Sequence, residues 1–238
     1  LRQLLKKEKI DIVHTHNPSS WLYGGVAAKI SGVPLIHTQH NTATYNIKRW
    51  NKIDKFLSLI TCKITSVSFF VANYMVQEEK VSREKLEVIH NGIKVENFDV
   101  PIDKEAKRLE LKLNKNDFVF VIVARLVPIK DHSTLLKAFS KVNGNIPESK
   151  LLIVGDGPLK DTLIEETDRL GLSKSVLFLG NRRDIPEILK ASDVFMLTSL
   201  RESFPVVVLE AMASGLPVIA TKEGGCSEIV INGETGLL

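Results

Sequence analysis

Two glutamates, Glu202 and Glu210, bracket a helix start in Arg201-Glu202-Ser203-Phe204-Pro205-Val206-Val207-Val208-Leu209-Glu210. Pro205 suits the first helical position, where its missing N–H is no loss. The apolar run Val194-Phe195-Met196-Leu197 ahead of it reads as a strand. Glu202 is therefore expected in a strand-to-helix loop. Glu210 is expected one and a half turns into the helix, roughly 8 Å along its axis. The N–H groups of Ser203, Phe204 and Val206 at such an end favour an anion. A phosphate there, with a carboxylate near each end of the ligand to accept hydroxyl hydrogen bonds, suits a sugar nucleotide. The stretch also reads as a buried helix with two incidental glutamates. Glu210 weighs against that, because a glutamate among apolar neighbours is almost never fully buried without a partner.

Other strand ends carry further chemistry. Arg125 and Lys130 follow the run Phe118–Val123 on one loop. A planar fork and a compact charge together can hold a diphosphate and stabilise a departing leaving group. Seen alone, the pair also reads as a solvent-facing loop. Gly155-Asp156-Gly157-Pro158 permits a tight turn and close backbone approach. It lacks the third glycine of a dinucleotide fingerprint and the Lys-Ser/Thr of a P-loop. The loop at Asn181-Arg182-Arg183 can face a base through its backbone, and Gly224-Gly225 can bring N–H groups near an anion. In the first half, His16 and His40 fall at the ends of the runs 11–16 and 33–40, His40 followed by Asn41-Thr42. His14 and His37 read as core or supporting residues.

The elements needed to position these residues follow from the alternation of apolar runs and helical patterns, the signature of parallel βαβ units. Ligands in such sheets bind beyond the carboxyl ends of the strands. In the first half we expect helices at 21–31, closed by Gly32, at 46–63 and at 70–78, with strands at 11–16, 33–40, 64–68 and 86–89. The polar run from 94 to 116 reads as a boundary. The expected organisation is an incomplete first domain at 1–95, a linker at 96–116, and a nucleotide-binding domain at 117–238.

These motifs together resemble the GT-B-fold retaining glycosyltransferases of glycosyltransferase family 4. The resemblance rests on Arg125 with Lys130, Gly155-Asp156-Gly157-Pro158, the E-x7-E pair Glu202/Glu210 with Ser203-Phe204-Pro205, and Gly215-Leu216-Pro217-Val218-Ile219-Ala220-Thr221 followed by Gly224-Gly225 and Glu228-Ile229-Val230. Val88 to Ile93 is similar to the family's run into the second domain, and Asp11 to His16 and His37 to Asn41 are similar, less specifically, to its first domain. It implies an α/β fold of two doubly wound, Rossmann-like parallel-sheet domains facing across a cleft. Arg125 and Lys130 would bind the donor diphosphate, Glu202 and the backbone of Ser203 and Phe204 the donor sugar, and Glu210 the ribose. Asn181 and Arg182 would meet the base, with Gly155 also on the donor side, and His40 would face the donor sugar. The implied catalytic set is Glu202, Arg125, Lys130 and His40. No metal and no cofactor are expected beyond the donor substrate, a UDP- or GDP-sugar. The implied reaction is retaining hexosyl transfer to a glycan or lipid-linked acceptor in cell-surface polysaccharide assembly. A sugar-nucleotide-binding module without transfer, or a sugar-nucleotide C2 epimerase of the same fold, are the alternatives.

With 44% hydrophobic and 25% charged residues, the 238-residue chain has the composition of a soluble globular protein. Its net charge of +4 comes from the first hundred residues, the remainder being slightly acidic. No nucleic-acid partner is expected. The helix at 46–63 carries Lys48, Arg49, Lys52 and Lys55 beside Trp50, Ile53, Phe56, Leu57 and Ile60. It reads as an ordinary amphipathic helix, or as a peripheral contact with an anionic membrane. Cys62 and Cys226 read as free thiols of a reducing, cytoplasmic compartment. The chain starts inside a helical pattern and ends on an apolar pair that reads as a strand start, so a fragment of a longer protein is expected.

Overall fold

In the computed structural model the alternating pattern folds into two units, Leu1–Asn91 and Gly92–Leu238. The structure describes residues 1–42 and 47–238, with the backbone alone for 47–51. The first unit runs α1 (Arg2–Lys7), β1 (Val13–His16), α2 (Pro18–Ser31), β2 (Leu35–Gln39), α3 (Ile47–Ile60), β3 (Lys63–Ser66), α4 (Phe69–Gln77) and β4 (Leu86–Val88). Its strands pair in parallel in the order β1-β2-β3-β4, with His16 opposite Thr38 and Gln39 opposite Ser66. Helix α2 starts three residues before Trp21, because Pro18 in the first turn gives up no hydrogen bond. It ends, as its glycine signals, at Gly32 with φ +70°.

Helix α3 stops at Ile60 rather than 63. Lys85 Nζ donates to the carbonyls of Ser58, Leu59 and Thr61 at 2.7, 3.1 and 3.0 Å, and this distant cap leaves Lys63 to open β3. Of the basic face read from 46–63, the side chains of Lys48, Arg49 and Trp50 lie outside the described residues. Lys52 and Lys55 are exposed. Leu57 is buried, but Phe56 and Leu59 are 58% and 69% exposed. No helix among the described residues is long and apolar enough to cross a membrane.

The second unit contains α5 (Lys104–Glu110), β5 (Phe118–Val123), α6 (His132–Asn145), β6 (Ser149–Val154), α7 (Lys160–Arg169), β7 (Val176–Gly180), α8 (Ile185–Ala191), β8 (Val194–Leu197), α9 (Val206–Ala213), β9 (Val218–Ala220) and β10 (Gly236–Leu237). All strands are parallel, in the order β10-β9-β8-β5-β6-β7. The continuous apolar run of β5 is explained by burial on both faces. Val119 and Val121 join Leu152, Phe195 and Val208 in one core, while Phe120 and Ile122 join Leu135, Leu136, Phe139 and Ile153 in the other.

The stretch expected as a linker holds α5, which packs on α8 within the second unit. Its polarity reflects ion pairing rather than solvation. Buried Arg108 donates to the carbonyls of Ala191, Lys115 and Asp117 and to the Asp193 carboxylate at 2.7 Å. Lys107 bridges Glu110 and Asp184.

The first unit buries titratable groups. The Trp21 ring stacks on His37 at 4.0 Å, and burial pushes that imidazole down to about 4. Glu79 is fully buried, and neither of its carboxyl oxygens is hydrogen-bonded among the described residues. Burial, then the charge of Asp54, pushes it up to about 8, and burial lifts Asp54 to about 6. A carboxyl raised above its unfolded value holds its proton more tightly when folded. The stability Glu79 contributes is thus complete below 4.5 and is lost as pH rises to about 8. His37 acts in reverse: its contribution is complete above 6.5 and is lost as pH falls to about 4. Urea unfolding of the first unit should show stability falling between pH 6.5 and pH 8. Glu79→Gln should flatten that slope, and an unchanged slope would clear Glu79 of it.

Candidate functional site

The strand order reverses between β5 and β8, from which the chain proceeds outward in opposite directions. In an open α/β sheet the crevice beyond such a reversal is where ligands bind. The β5 loop brings Arg125 and Lys130 there, and the β8 loop brings Glu202. Lys130 Nζ meets Glu202 Oε1 at 2.5 Å. Arg125 is exposed and makes no ion pair among the described residues. The two loops are laced together. Leu200 N–H donates to Ile129 O at 2.9 Å, and the Thr198 hydroxyl donates to the carbonyls of Lys130 and Asp131 at 3.2 and 3.0 Å. Asp131, at φ +46°, also caps α6 by accepting from Thr134 N. Neither Thr198 nor the left-handed Asp131 stood out in the sequence, since threonine ends many strands.

Glycines set the spacing of these loops. A Cβ on Gly155 would lie 2.0 Å from Ala124 O, and one on Gly157 would lie 2.5 Å from Leu126 O. The Gly155-Asp156-Gly157 turn thus presses against the backbone beside Arg125. Gly224, at φ +61°, lies against Glu202 in the same way, a Cβ meeting Glu202 O at 1.8 Å. Gly225 N–H donates to Glu202 O at 2.9 Å. That N–H is therefore committed to holding the Glu202 loop, where the sequence suggested an anion contact.

Pro205 lies one residue before α9, outside the first helical position expected of it. Ser203 is half-buried and Phe204 buried. Glu210 is half-buried on α9, and burial raises its carboxyl above the ordinary value. Among the described residues its side chain has no hydrogen-bond partner. His132 opens α6 directly after this loop. It is buried with both ring nitrogens unpartnered among the described residues, and burial, then the Lys130 charge, pushes it down to about 4.

The loop after β7 turns at Gly180 and leaves Asn181 and Arg183 exposed. Arg182 is engaged elsewhere. Its Nε and Nη2 bond Asp184 at 2.8 and 2.5 Å, and Nη2 also reaches Glu110 at 2.7 Å. The guanidinium holds the Asp184 carboxyl well below the usual range. Arg182 thus ties its loop to α5, a task hidden in sequence because Glu110 lies far away in a stretch that reads as linker.

In the first unit β1 and β2 gather four histidines. His16 Nδ1 and His40 Nε2 are hydrogen-bonded at 2.9 Å, and His14 Nε2 bonds Thr38 Oγ1 at 2.7 Å. His14 is exposed, not core, whereas His37 is buried between Thr15 Oγ1 and Gln39 Oε1. Burial, then neighbouring His16 and His14, lowers His40. Among the described residues no group of three or more His, Cys, Asp or Glu is placed to hold a metal ion.

The family model for glycosyl transferases group 1 matches residues 103–238, and that for Glycosyltransferase Family 4 matches residues 1–97. The UDP-Gal:alpha-D-GlcNAc-diphosphoundecaprenol alpha-1,3-galactosyltransferase of Escherichia coli is 40% identical over all of this chain and 64% of its own length. The N-acetyl-alpha-D-glucosaminyl L-malate synthase of Bacillus anthracis is 28% identical over all of this chain and 63% of its own. The chain thus spans less than two thirds of these relatives. Among solved structures, Anabaena HepE in complex with UDP superposes with a TM-score of 0.92 at 28% identity, covering 99% of this chain and 66% of HepE. HepE with UDP-glucose gives 0.89 at the same identity and coverage.

Gly224 and Gly233 both have positive φ, but a Cβ on Gly233 would meet nothing within 4 Å. Gly233→Ala should cost only the left-handed strain, about 1–2 kcal/mol. Gly224→Ala should cost clearly more, because it must also push the Glu202 backbone aside. Paired denaturant titrations check this, and equal losses would show that the Glu202 loop yields freely.

Proposed function

The chain belongs to the glycosyl transferases group 1 family, and from that premise we propose that it moves a hexosyl unit from a nucleotide sugar to a glycan or lipid-linked acceptor in cell-surface polysaccharide assembly. The observation that carries this reading is the meeting of Lys130 and Glu202 at the β5/β8 reversal, with a half-buried Glu210, unpartnered among the described residues, on the helix that follows. Arg125 and Lys130 neutralise the diphosphate, Glu202 accepts from sugar hydroxyls, and Glu210 accepts from the ribose. Ser203 and Phe204 supply backbone beside the sugar. The turn at Gly155 supports the Arg125 loop, and the exposed backbone at Asn181 meets the base. Arg182 acts by holding that loop. His40, paired with His16, is assigned to substrate contact in the first unit.

The two cations give the departing diphosphate the positive charge it needs, so the reaction is assigned as metal-independent. Retention of anomeric configuration is part of the same reading, and no cofactor is assigned besides the donor. The work is assigned to the cytoplasmic side of a membrane. Helix α3 supports this, since exposed Phe56 and Leu59 beside Lys52 and Lys55 suit an anionic bilayer surface. A Phe56→Ser, Leu59→Ser double variant should lose co-sedimentation with phosphatidylglycerol vesicles while staying folded, and undiminished binding would remove α3 from the interface.

The Escherichia coli galactosyltransferase is named for UDP-Gal and HepE was solved with UDP-glucose, which makes UDP-galactose and UDP-glucose the first donors to test. Calorimetry with these, UDP-N-acetylglucosamine and GDP-mannose should find one that binds in the micromolar range. Glu210→Ala should weaken it tenfold or more, about 1.4 kcal/mol. A folded chain that binds none of the four would overturn the reading.

A further inference from the structure

The Lys130–Glu202 pair is largely shielded, with side-chain exposures of 20% and 11%. Both backbones beneath it are fixed. Thr198 and Leu200 hold the Lys130 loop, and the Gly225 N–H with the close approach of Gly224 holds Glu202. The ammonium and the carboxylate can therefore separate by side-chain rotation, without the loops moving. Any diphosphate that draws Lys130 to itself strips Glu202 of its counter-ion. A shielded carboxylate without a partner is costly, and a second anion beside it makes it more so.

Resting on the donor reading above, we propose that Glu202 and the diphosphate compete for Lys130, and that this competition makes the site prefer an intact nucleotide sugar to the free nucleoside diphosphate. A nucleotide sugar brings hydroxyl donors that satisfy Glu202 once Lys130 has turned away. A free nucleoside diphosphate brings none, and its terminal phosphate carries an additional negative charge toward the carboxylate. The same pair that receives the donor thus drives off the nucleotide left when the sugar has gone. Between turnovers it re-forms and keeps both charges neutralised.

The test compares the Kd of UDP with that of UDP-galactose by calorimetry for the unaltered chain, Glu202→Gln, Glu202→Ala and Lys130→Ala. Both Glu202 variants should bind UDP at least fivefold more tightly than the unaltered chain. Neither should gain affinity for UDP-galactose, so the preference for the sugar form should fall at least fivefold. The alanine variant guards against a glutamine that still holds Lys130 by a hydrogen bond, and melting curves verify that each variant is folded. UDP affinity that is unchanged or weaker in both folded Glu202 variants would overturn the competition. Lys130→Ala should weaken both ligands tenfold or more. If it leaves both unaffected, or if the unaltered chain binds neither these two nor UDP-glucose, UDP-N-acetylglucosamine or GDP-mannose, the donor-site reading itself falls, a result distinct from failure of the competition alone.

Discussion

The reversal of winding between β5 and β8 is the constraint from which the site follows. Two neighbouring parallel strands whose chains proceed outward in opposite directions leave a crevice at their carboxyl ends. The loops that leave these strands meet at that crevice, and their polar groups must either pair with each other or with a ligand. Here the pairing is carried by the Lys130–Glu202 contact and by Thr198 and Leu200 reaching the opposite loop. The loops approach this closely only because residues 155, 157, 224 and 225 have no Cβ to keep the backbones apart. Topology sets where the charges gather, and the glycines set how near.

Charge is handled differently in the two units. The second unit pairs charges with one another, as buried Arg108 with Asp193 and partly exposed Arg182 with Asp184 and Glu110 illustrate. Such networks add polar ties to the apolar contacts that hold α5 and the loop after β7. The first unit instead encloses Glu79 and His37 in surroundings that favour their neutral forms. The protonation of these two groups, and hence pH, bears on its interior.

Much of this was legible in the sequence, for identifiable reasons. The strands of the second unit are apolar on both faces, so their positions show through composition alone, and β5 and β8 fall where the pattern puts them. Gly32 marks the end of α2 because only the left-handed region lets the chain turn there. Glu202 and Lys130 were singled out from their places at strand ends, and they meet. What escaped were effects that arise from residues distant in sequence. Lys85 ends α3 across 24 or more residues, and Glu110 claims Arg182 across 72. The polarity of α5 looked like a linker because ion pairs and solvation draw on the same residue types. Gly224-Gly225 looked like an anion cradle because nothing local reveals that Glu202 lies against them.

The two thiols inherit opposite fates from this architecture. Cys62 stands exposed in the turn between α3 and β3, while Cys226 is fully buried beneath the Glu202 loop, its thiol pushed up to about 12 by burial first and by the Glu202 charge second. A neutral, enclosed thiol is inert to alkylating reagents. A single coloured thiol reagent would therefore report on the two units separately. One equivalent reacts at the surface of the first. The other is taken up only when the backbone that carries Glu202 opens. The chain carries its own stopwatch for the breathing of the Glu202 loop, with no residue to change.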